Sequence, residues 1–565
     1  MKNRFSIFLL FVLVYADIHA QLSTNEKPVS FSFKSKPVET SRLLAKVVMP
    51  DLDMAKIEKE DKEDEEMDMP PRFGFTHFVD YDLKNSGVWY RLPNGDKLWQ
   101  LNVICPGALS INFCYDKFWI PQGGKLFIYS TDKKQYIGAF TSKNNKGDRE
   151  NLRGFATGLI YGSDVMLEYY QPKEVAEDAI ISIDYVVHGY KYIPIEYKSY
   201  GNAGACMVNI NCEEGEKWQN DKNAVAKILI DGHRLCSGSL LNSSDLSQKP
   251  YFLTADHCIG EYDAVTFPNL DYYTFFWNYE APGCINDSIE PSYYSTSGAT
   301  ILANNSFSDF ALLRLIEDPQ YLSNYIPFYL GWDCTGLSGD PGVCIHHPRG
   351  DVKKISTVAY QPISTFYGIN TENINANHWK VMWASTLNGH GTTEGGSSGS
   401  PLFTSEHKVI GQLHGGASNC EGGIWDPDWY GKFNVSWNGN NNDSIQRRLN
   451  CWLDSINSGV QTMEGLLVVP ESRTMTMNDS LYCNIIIKST GRLTIRGNIE
   501  LKGNSSVIVE AGGKLIINGG TLSNGDIILK SGATLRIING GIIETRNGFE
   551  APIGALVEIL NGQIL

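Results

Sequence analysis

From about residue 73 to 190 the chain alternates short aromatic and β-branched runs with turn residues. The runs cover 88–90, 98–103, 125–129, 165–170 and 179–187, separated by turns such as Pro93-Asn94-Gly95 and Gln122-Gly123-Gly124. Short strands at this spacing predict a β-sandwich. Upstream, residues 51–68 are dense in Asp, Glu and Lys, and Pro70-Pro71 follows. That pattern predicts an acidic, solvated linker with too few apolar anchors for a core. Residues 201–456 form a second, larger β-rich stretch. After Gly465 the pattern changes to Ile, Leu and Val punctuated by glycine, and it repeats. Leu493-Thr494-Ile495-Arg496-Gly497 aligns with Leu515-Ile516-Ile517-Asn518-Gly519, and the series continues through Gly540 and Gly562. The marker glycines stand 22, 21 and 22 residues apart. A fixed period near twenty predicts a small parallel β-solenoid, three short faces to a turn. Such a tail suits a spacer or a module that docks to a cell surface or to other proteins.

The first twenty residues change the picture of where the protein works. Lys2 and Arg4 precede an apolar run over 5–15, and Ile18-His19-Ala20 offers a cleavage site. The run is too short to span a bilayer, so it predicts a secretory signal peptide, with a signal anchor as the alternative. No other segment reaches the length of a transmembrane helix, so the protein is expected to be secreted or surface-associated. The net charge of −15 argues against nucleic acid, which calls for a basic surface. Twelve cysteines in an exported chain can pair.

Three segments in 201–456 carry chemistry: Thr254-Ala255-Asp256-His257-Cys258, Ser308-Asp309-Phe310, and Gly395-Gly396-Ser397-Ser398-Gly399-Ser400-Pro401. Alone, each has a bland reading: a structural His, a turn Asp, a Gly/Ser loop. In the order His, Asp, Ser they supply what peptide hydrolysis needs. A hydroxyl is activated by a base, and an acid fixes the tautomer of that base. Small residues beside the hydroxyl let the chain turn and present amides to an oxyanion.

Together these segments resemble the chymotrypsin-fold serine peptidases. The nearer resemblance is to the bacterial lysyl endopeptidases, carried further by Cys206, Cys212, Ile345-His346-His347-Pro348, the string from Glu394 to Pro401, and Gly411-Gln412-Leu413-His414-Gly415-Gly416. The resemblance implies an all-β protein with a double β-barrel catalytic domain. It implies Ser398 as nucleophile, His257 as general base, Asp309 as its orienting acid, and the Gly396 and Ser398 amides as the oxyanion hole. His414, Gly415 and Gly416 match the strand that aligns a substrate backbone. Activity is expected to rise as pH passes about 6.5, where a histidine loses its proton.

Trypsin-like enzymes often carry a specificity acid six residues before the nucleophile, where this chain has Thr392. Lysyl endopeptidases place it in an Asp-x-Tyr-Gly segment, matched by Asp428-Trp429-Tyr430-Gly431. Asp428 is therefore the expected partner of a basic P1 side chain, with Asp426 as a nearby competitor. In that family a histidine matching His414 stacks on a tryptophan. No clear counterpart appears in Ser364-Thr365-Phe366-Tyr367-Gly368, so Arg is expected to be accepted beside Lys. Ser397 occupies the position where trypsin-type zymogens carry an Asp, so activation by a new N-terminus at that residue is not expected.

The resemblance pairs Cys206 with Cys420, Cys212 with Cys284 and Cys236 with Cys258. A local bridge between Cys334 and Cys344 is expected as an addition, Cys105 and Cys114 are close enough in sequence to pair, and Cys451 and Cys483 are left over. No metal site or cofactor is expected. The expected division is a signal peptide over 1–20, a propeptide over 21–198 (acidic linker 21–72, sandwich 73–190), a catalytic domain over 199–457 and a repeat domain over 465–565. The function implied is a secreted serine endopeptidase made as a zymogen. It would act on protein and peptide substrates on the C-terminal side of Lys, with Arg as second choice, and self-cleavage after Lys198 would release its own propeptide. The alternatives are a catalytically silent adhesin on a protease scaffold, or a peptidase with a non-basic P1 preference.

Overall fold

The computed structural model describes residues 26–33, 45–67, 69–191, 202–259, 269–286, 290–322, 324–422 and 425–565. The expected signal peptide and the expected cleavage site after Lys198 lie outside them. Among the described residues no helix is long and apolar enough to cross a membrane.

The N-terminal part is two β-sheets face to face. One runs in the order Lys46–Val48, Lys97–Ile104, Asp164–Gln171, Lys125–Ser130, Tyr136–Phe140. The other is built on Gly74–Asp82, Ile180–Gly189 and Ser110–Trp119. Alternating positions of these strands, among them Leu101, Val103, Ile111, Phe113, Leu126, Ile128, Val165 and Leu167, point inward and are fully buried. This core does not stop at the sandwich. Leu229, Leu235, Phe276 and Tyr279 of the 201–456 stretch belong to the same cluster.

The expectation for residues 51–68 is corrected. They are not simply a solvated linker, because Met54–Glu66 is an α-helix. Asp53 caps it by accepting from the Lys56 amide, and Lys56–Glu60 and Lys59–Glu63 stand one turn apart as ion pairs. Ile57 is the single buried anchor. The remaining grip is electrostatic: Arg72 reaches Asp61 at 2.9 Å and Glu60 at 3.0 Å, Lys191 reaches Asp61 at 2.7 Å, and Arg234 reaches Asp64 at 2.7 Å.

Two antiparallel sheets come next. The first has the order Tyr294–Ser297, Thr274–Trp277, Val225–Ile230, Arg234–Leu241, Tyr251–Ala255, Phe310–Leu315, Ala299–Asn305. The second threads Pro341–His346, Pro401–Thr404, Lys408–Gly416, Asp428–Lys432, His378–Val381 and Ile363–Thr365. Every residue of Val225–Ile230 and Arg234–Leu241 is buried, so these strands are covered on both faces.

The tail is a parallel solenoid. The register stacks Leu493 on Leu515, Leu515 on Leu535 and Leu535 on Val557, in step with the sequence repeat. Ile495, Ile517 and Ile537 form the parallel column, and both columns are buried up to the last rung. Gly465–Val469 pairs with Phe328–Tyr329, and Lys408 forms a buried ion pair with Glu464, so the first rung continues the preceding core.

Candidate active site

The strand pair Tyr251–Ala255 and Phe310–Leu315 sets the first half of the site. Their register matches Ala255 with Phe310. One residue before Phe310, Asp309 sits at φ +51°, a left-handed conformation that Asp tolerates better than most side chains. Two residues after Ala255, His257 sits in a short 3-10 turn, Asp256–Cys258, pinned by the Cys236–Cys258 disulfide. The backbone amide of His257 donates to Asp309 Oδ1 at 3.0 Å, and Nδ1 lies 2.9 Å from Oδ2. With a carboxylate on Nδ1, that nitrogen holds the proton and Nε2 becomes the basic one. Burial alone would raise the Asp309 carboxyl, but the charges of His257 and His414 and the hydrogen bonds from His257 outweigh it. Its pKa is lowered.

The second half is a tight turn. Ser397 N donates to Glu394 O at 2.9 Å and Ser400 N to Ser397 O at 3.0 Å. Gly396 takes φ +96°, and a Cβ there would approach Gly350 N and His347 O at 3.2 Å. Ser237 holds the turn from below: its amide donates to Ser398 O at 2.8 Å and its hydroxyl to Gly396 O at 2.9 Å. Ser398 O also lies 3.8 Å from Cys258 Sγ, one residue from His257. Among the described residues the Gly396 and Ser398 amides have no hydrogen-bond acceptor, as donors awaiting an oxyanion would. Ser397 is held by His346, whose Nδ1 is 2.8 Å from its hydroxyl, while His346 Nε2 is 3.1 Å from Ser356 Oγ.

Lys408–Gly416 forms the wall beside Ser398 and pairs Gly415 with Trp429 and Gly416 with Asp428. Asp428 is fully buried. Its carboxylate accepts from Trp383 Nε1 at 2.7 Å, Thr393 Oγ1 at 2.7 Å, Ser418 Oγ at 2.6 Å and Ser418 N at 3.1 Å. Burial still dominates, and the pKa is raised. Gly416 is obligatory at this wall, because a Cβ would meet Asp428 Oδ1 at 1.8 Å. Asp426, the competitor, lies outside this ring of donors.

Three residues invisible to motif reading complete the surroundings. Tyr367 stacks on His414 with ring centroids 3.8 Å apart and planes at 13°. His378 Nε2 lies 2.9 Å from His414 Nδ1. Trp383 supplies a donor to Asp428. Each comes from a loop or strand whose register the sequence does not announce. Tyr367 lies in the 364–368 segment, where the sequence offered no tryptophan to stack on His414.

The N-terminal region reaches the same cleft. A cavity of about 470 Å³ is lined by Ser398, Gly416 and Ser418 on one side and by Asp64, Met69 and Pro71 on the other. Leu235 N donates to Pro71 O at 3.1 Å, Phe73 N to His233 O at 2.9 Å, and Arg72 pairs with Arg234 as an antiparallel bridge.

Among the described residues, His257, Asp309 and His414 bring ligand atoms within 4.8 Å of one another, the one cluster with the donor chemistry to hold a divalent cation. A second grouping, Cys236, His257 and Cys258, has both sulfurs in a disulfide.

The disulfides Cys206–Cys420, Cys212–Cys284 and Cys236–Cys258 are formed. The expected Cys334–Cys344 bridge is corrected: both are free. Cys344 is matched with Leu402, Leu402 with Gly411, and the strand Gly331–Asp333 pairs on the far side of Lys408–Gly416. Three interstrand steps of about 4.8 Å exceed the reach of a disulfide. Cys105 and Cys114 are also free: Cys105 lies in the sandwich core, whereas Cys114 packs with Ala156 and Tyr272 outside it. Cys451 and Cys483 remain unpaired as well.

The family described as the lysyl endopeptidase C-terminal domain matches residues 200–431. A lysyl endopeptidase of Pseudomonas aeruginosa is 32% identical over 235 residues, covering 39% of this chain and 47% of that protein. The chain thus spans about half the length of the curated relative it matches. Among solved structures, the Rv3671c protease of M. tuberculosis in its active form aligns at 16% identity and TM-score 0.24, over 43% of this chain and 86% of that one. A Glu endopeptidase aligns at 15% identity and TM-score 0.25, over 43% and 93%. Residues 200–431, with His257, Asp309 and Ser398 among them, resemble in sequence the lysyl endopeptidase C-terminal domain.

Proposed function

We propose that the chain is a secreted serine endopeptidase that cuts on the C-terminal side of Lys, and of Arg as second choice, and that it is made as a zymogen. The observation that carries this reading is the His257–Asp309 pair at 2.9 Å, with Cys258 beside it 3.8 Å from Ser398 O in a turn whose Gly396 and Ser398 amides have no acceptor among the described residues. In this reading Ser398 Oγ attacks the scissile carbonyl while His257 Nε2 takes its proton. The two amides stabilise the oxyanion, and His257 passes the proton to the departing amine. Water then attacks the acyl-enzyme, with His257 again as base, and releases Ser398.

The P1 preference rests on Asp428. A buried carboxylate held only by dipoles is short of a countercharge, and a Lys ammonium or Arg guanidinium entering the cavity supplies one. The zymogen reading rests on the N-terminal segment, whose Met69 and Pro71 line the cavity that Ser398 lines. The likeness to a lysyl endopeptidase and three disulfides support export.

A fluorophosphonate probe applied to the processed protein is expected to label Ser398 and to fail on Ser398→Ala. Absence of label on correctly processed wild type would sink the peptidase reading. Digestion of a peptide library is expected to return Lys and Arg at P1. Acidic or apolar P1 residues would overturn the specificity while leaving the enzyme.

A further inference from the structure

The cleft has two sides, and the N-terminal region meets them differently. In the proposed reaction His257 hands a proton to the departing amine, so the leaving-group side of a substrate lies beside His257. Cys258 follows His257 and is bonded to Cys236, so Leu235, one residue before Cys236, flanks that side. The acyl side is the wall Lys408–Gly416, to which the nucleophile turn is tied: Gly399 N donates to Leu413 O at 2.8 Å, and Leu413 N to Ser400 O at 2.9 Å. Ser398, whose carbonyl accepts from Ser237 N at 2.8 Å, stands between the two.

Residues 69–73 lie along the leaving-group side. Leu235 N donates to Pro71 O at 3.1 Å, Arg234 Nη1 to Pro70 O at 2.8 Å, and Phe73 N to His233 O at 2.9 Å. This is the strand addition by which proteins hold an extended peptide, made here by the chain itself. Pro71 also packs over the nucleophile turn, where a Cβ on Gly395 would stand 3.2 Å from its ring. Two prolines offer carbonyls without N–H groups and keep the segment extended. Its one basic side chain is held away from Asp428. Arg72 Nε pairs with Asp61 at 2.9 Å and Nη2 with Glu60 at 3.0 Å, both on the helix Met54–Glu66. Arg234 pairs with Asp64 at 2.7 Å and ties that helix to the same strand. On the acyl side the cavity of about 470 Å³ is lined by Thr393, Gly416 and Ser418, and Thr393 and Ser418 are donors to Asp428.

We propose that residues 69–72 occupy the leaving-group side of the cleft as a tethered competitor. The uncut chain shuts out peptides that continue past the scissile bond, yet admits a small ligand to the acyl side. Resting on the peptidase reading, this gives latency a definite form: competition for one half of the site, with the His257–Asp309 pair already assembled at 2.9 Å. A tethered segment competes at an effective concentration of about millimolar, so it needs little affinity of its own to exclude a substrate.

The test uses the full chain, kept whole by Lys198→Gln and checked by mass. A fluorophosphonate probe, which carries no leaving-group peptide, is expected to label Ser398 nearly as fast as in the processed chain. Cleavage of a Lys-P1 peptide with three residues beyond the Lys is expected to be about 10²-fold slower than in the processed chain. Loss of labelling together with cleavage, or retention of both, overturns the proposal. Should that chain be cut elsewhere, Ser398→Ala, which cannot cut itself, decides by binding. Fluorescence anisotropy is expected to show a labelled peptide ending in a Lys amide bound, and bound no tighter when three residues follow the Lys. Adding Glu60→Gln and Asp61→Asn, which release Arg72, is expected to make the longer peptide the tighter one by about tenfold. A longer peptide already favoured in Ser398→Ala overturns the proposal, as does a chain that binds neither. Absence of label on the processed wild type would instead sink the peptidase reading, so the two failures are distinguishable.

Discussion

Asp309 and Asp428 are both buried carboxylates, and their environments push them in opposite directions. Asp309 faces two imidazoles, and their charges lower its pKa despite burial. Asp428 receives four donors, and burial still wins. Hydrogen bonds orient a charge and charges neutralise it. An acid given only the first keeps an unmet demand for a cation. In the proposed reading Asp309 belongs to the catalytic machinery, whereas Asp428 receives the substrate cation.

The largest expected effect comes from abolishing the settled charge. Asp309→Asn is expected to lower kcat by about 10⁴-fold, because the amide favours the wrong tautomer of His257. Steady-state kinetics checks this, and a loss below tenfold would refute the assigned role. Asp428→Ala comes next. The kcat/KM on Lys-P1 substrates is expected to fall about 10²–10³-fold, with little loss on a small apolar P1. Unchanged P1 preference in a peptide library would remove Asp428 from the pocket. Its raised pKa adds a pH signature: as pH falls, Asp428 takes up a proton early, so KM for a basic P1 is expected to rise. A third effect, about tenfold in kcat/KM, is expected from Gly416→Ala, whose methyl collides with Asp428 Oδ1. If Gly416→Ala moved the acid limb instead of KM, the two acids would not be independent.

The smallest effect concerns stability. His346 is buried neutral, its pKa pushed down to about 3 by burial and then by Lys354. A histidine depressed in the folded state binds its proton more readily when unfolded. Its contribution is therefore intact above about pH 6.5 and is lost progressively from there down toward pH 3. Urea midpoints at pH 5 against pH 7 are expected to show a loss of about 1–2 kcal/mol, reduced in His346→Gln. An identical pH dependence in the variant would show that His346 is not the titrating group.

The legible parts of this molecule are those written locally or periodically. The solenoid was visible because its glycines mark each turn and Leu493, Leu515 and Leu535 fall into register. His257, Asp309 and Ser398 were visible because each sits in its own short segment, and the structure brings Asp309 to 2.9 Å from His257 across 52 positions. The Cys334–Cys344 pairing misled because a spacing of ten says nothing about how many strands intervene. The helix Met54–Glu66 was hidden by its charge. One buried side chain, Ile57, suffices when Arg72, Lys191 and Arg234 hold the opposite face. The segment holding Tyr367 was singled out but its stack on His414 was not, and His378 left no trace, since both partnerships depend on how Ile363–Thr365 and His378–Val381 close the end of the second sheet.

All three disulfides lie on the C-terminal side of residue 201, and among the described residues none ties the sandwich to the two sheets that hold His257 and Ser398. A chain severed between 191 and 202 is therefore two polypeptides joined by ion pairs and a shared core, with no covalent tether. In the proposed zymogen reading, latency in such a pair obeys mass action: concentrated stocks stay quiet, and dispersal sets the larger piece loose. Activity per mole should climb on dilution of severed protein. A specific activity that stays flat across several orders of magnitude in concentration would mean that the pieces do not part.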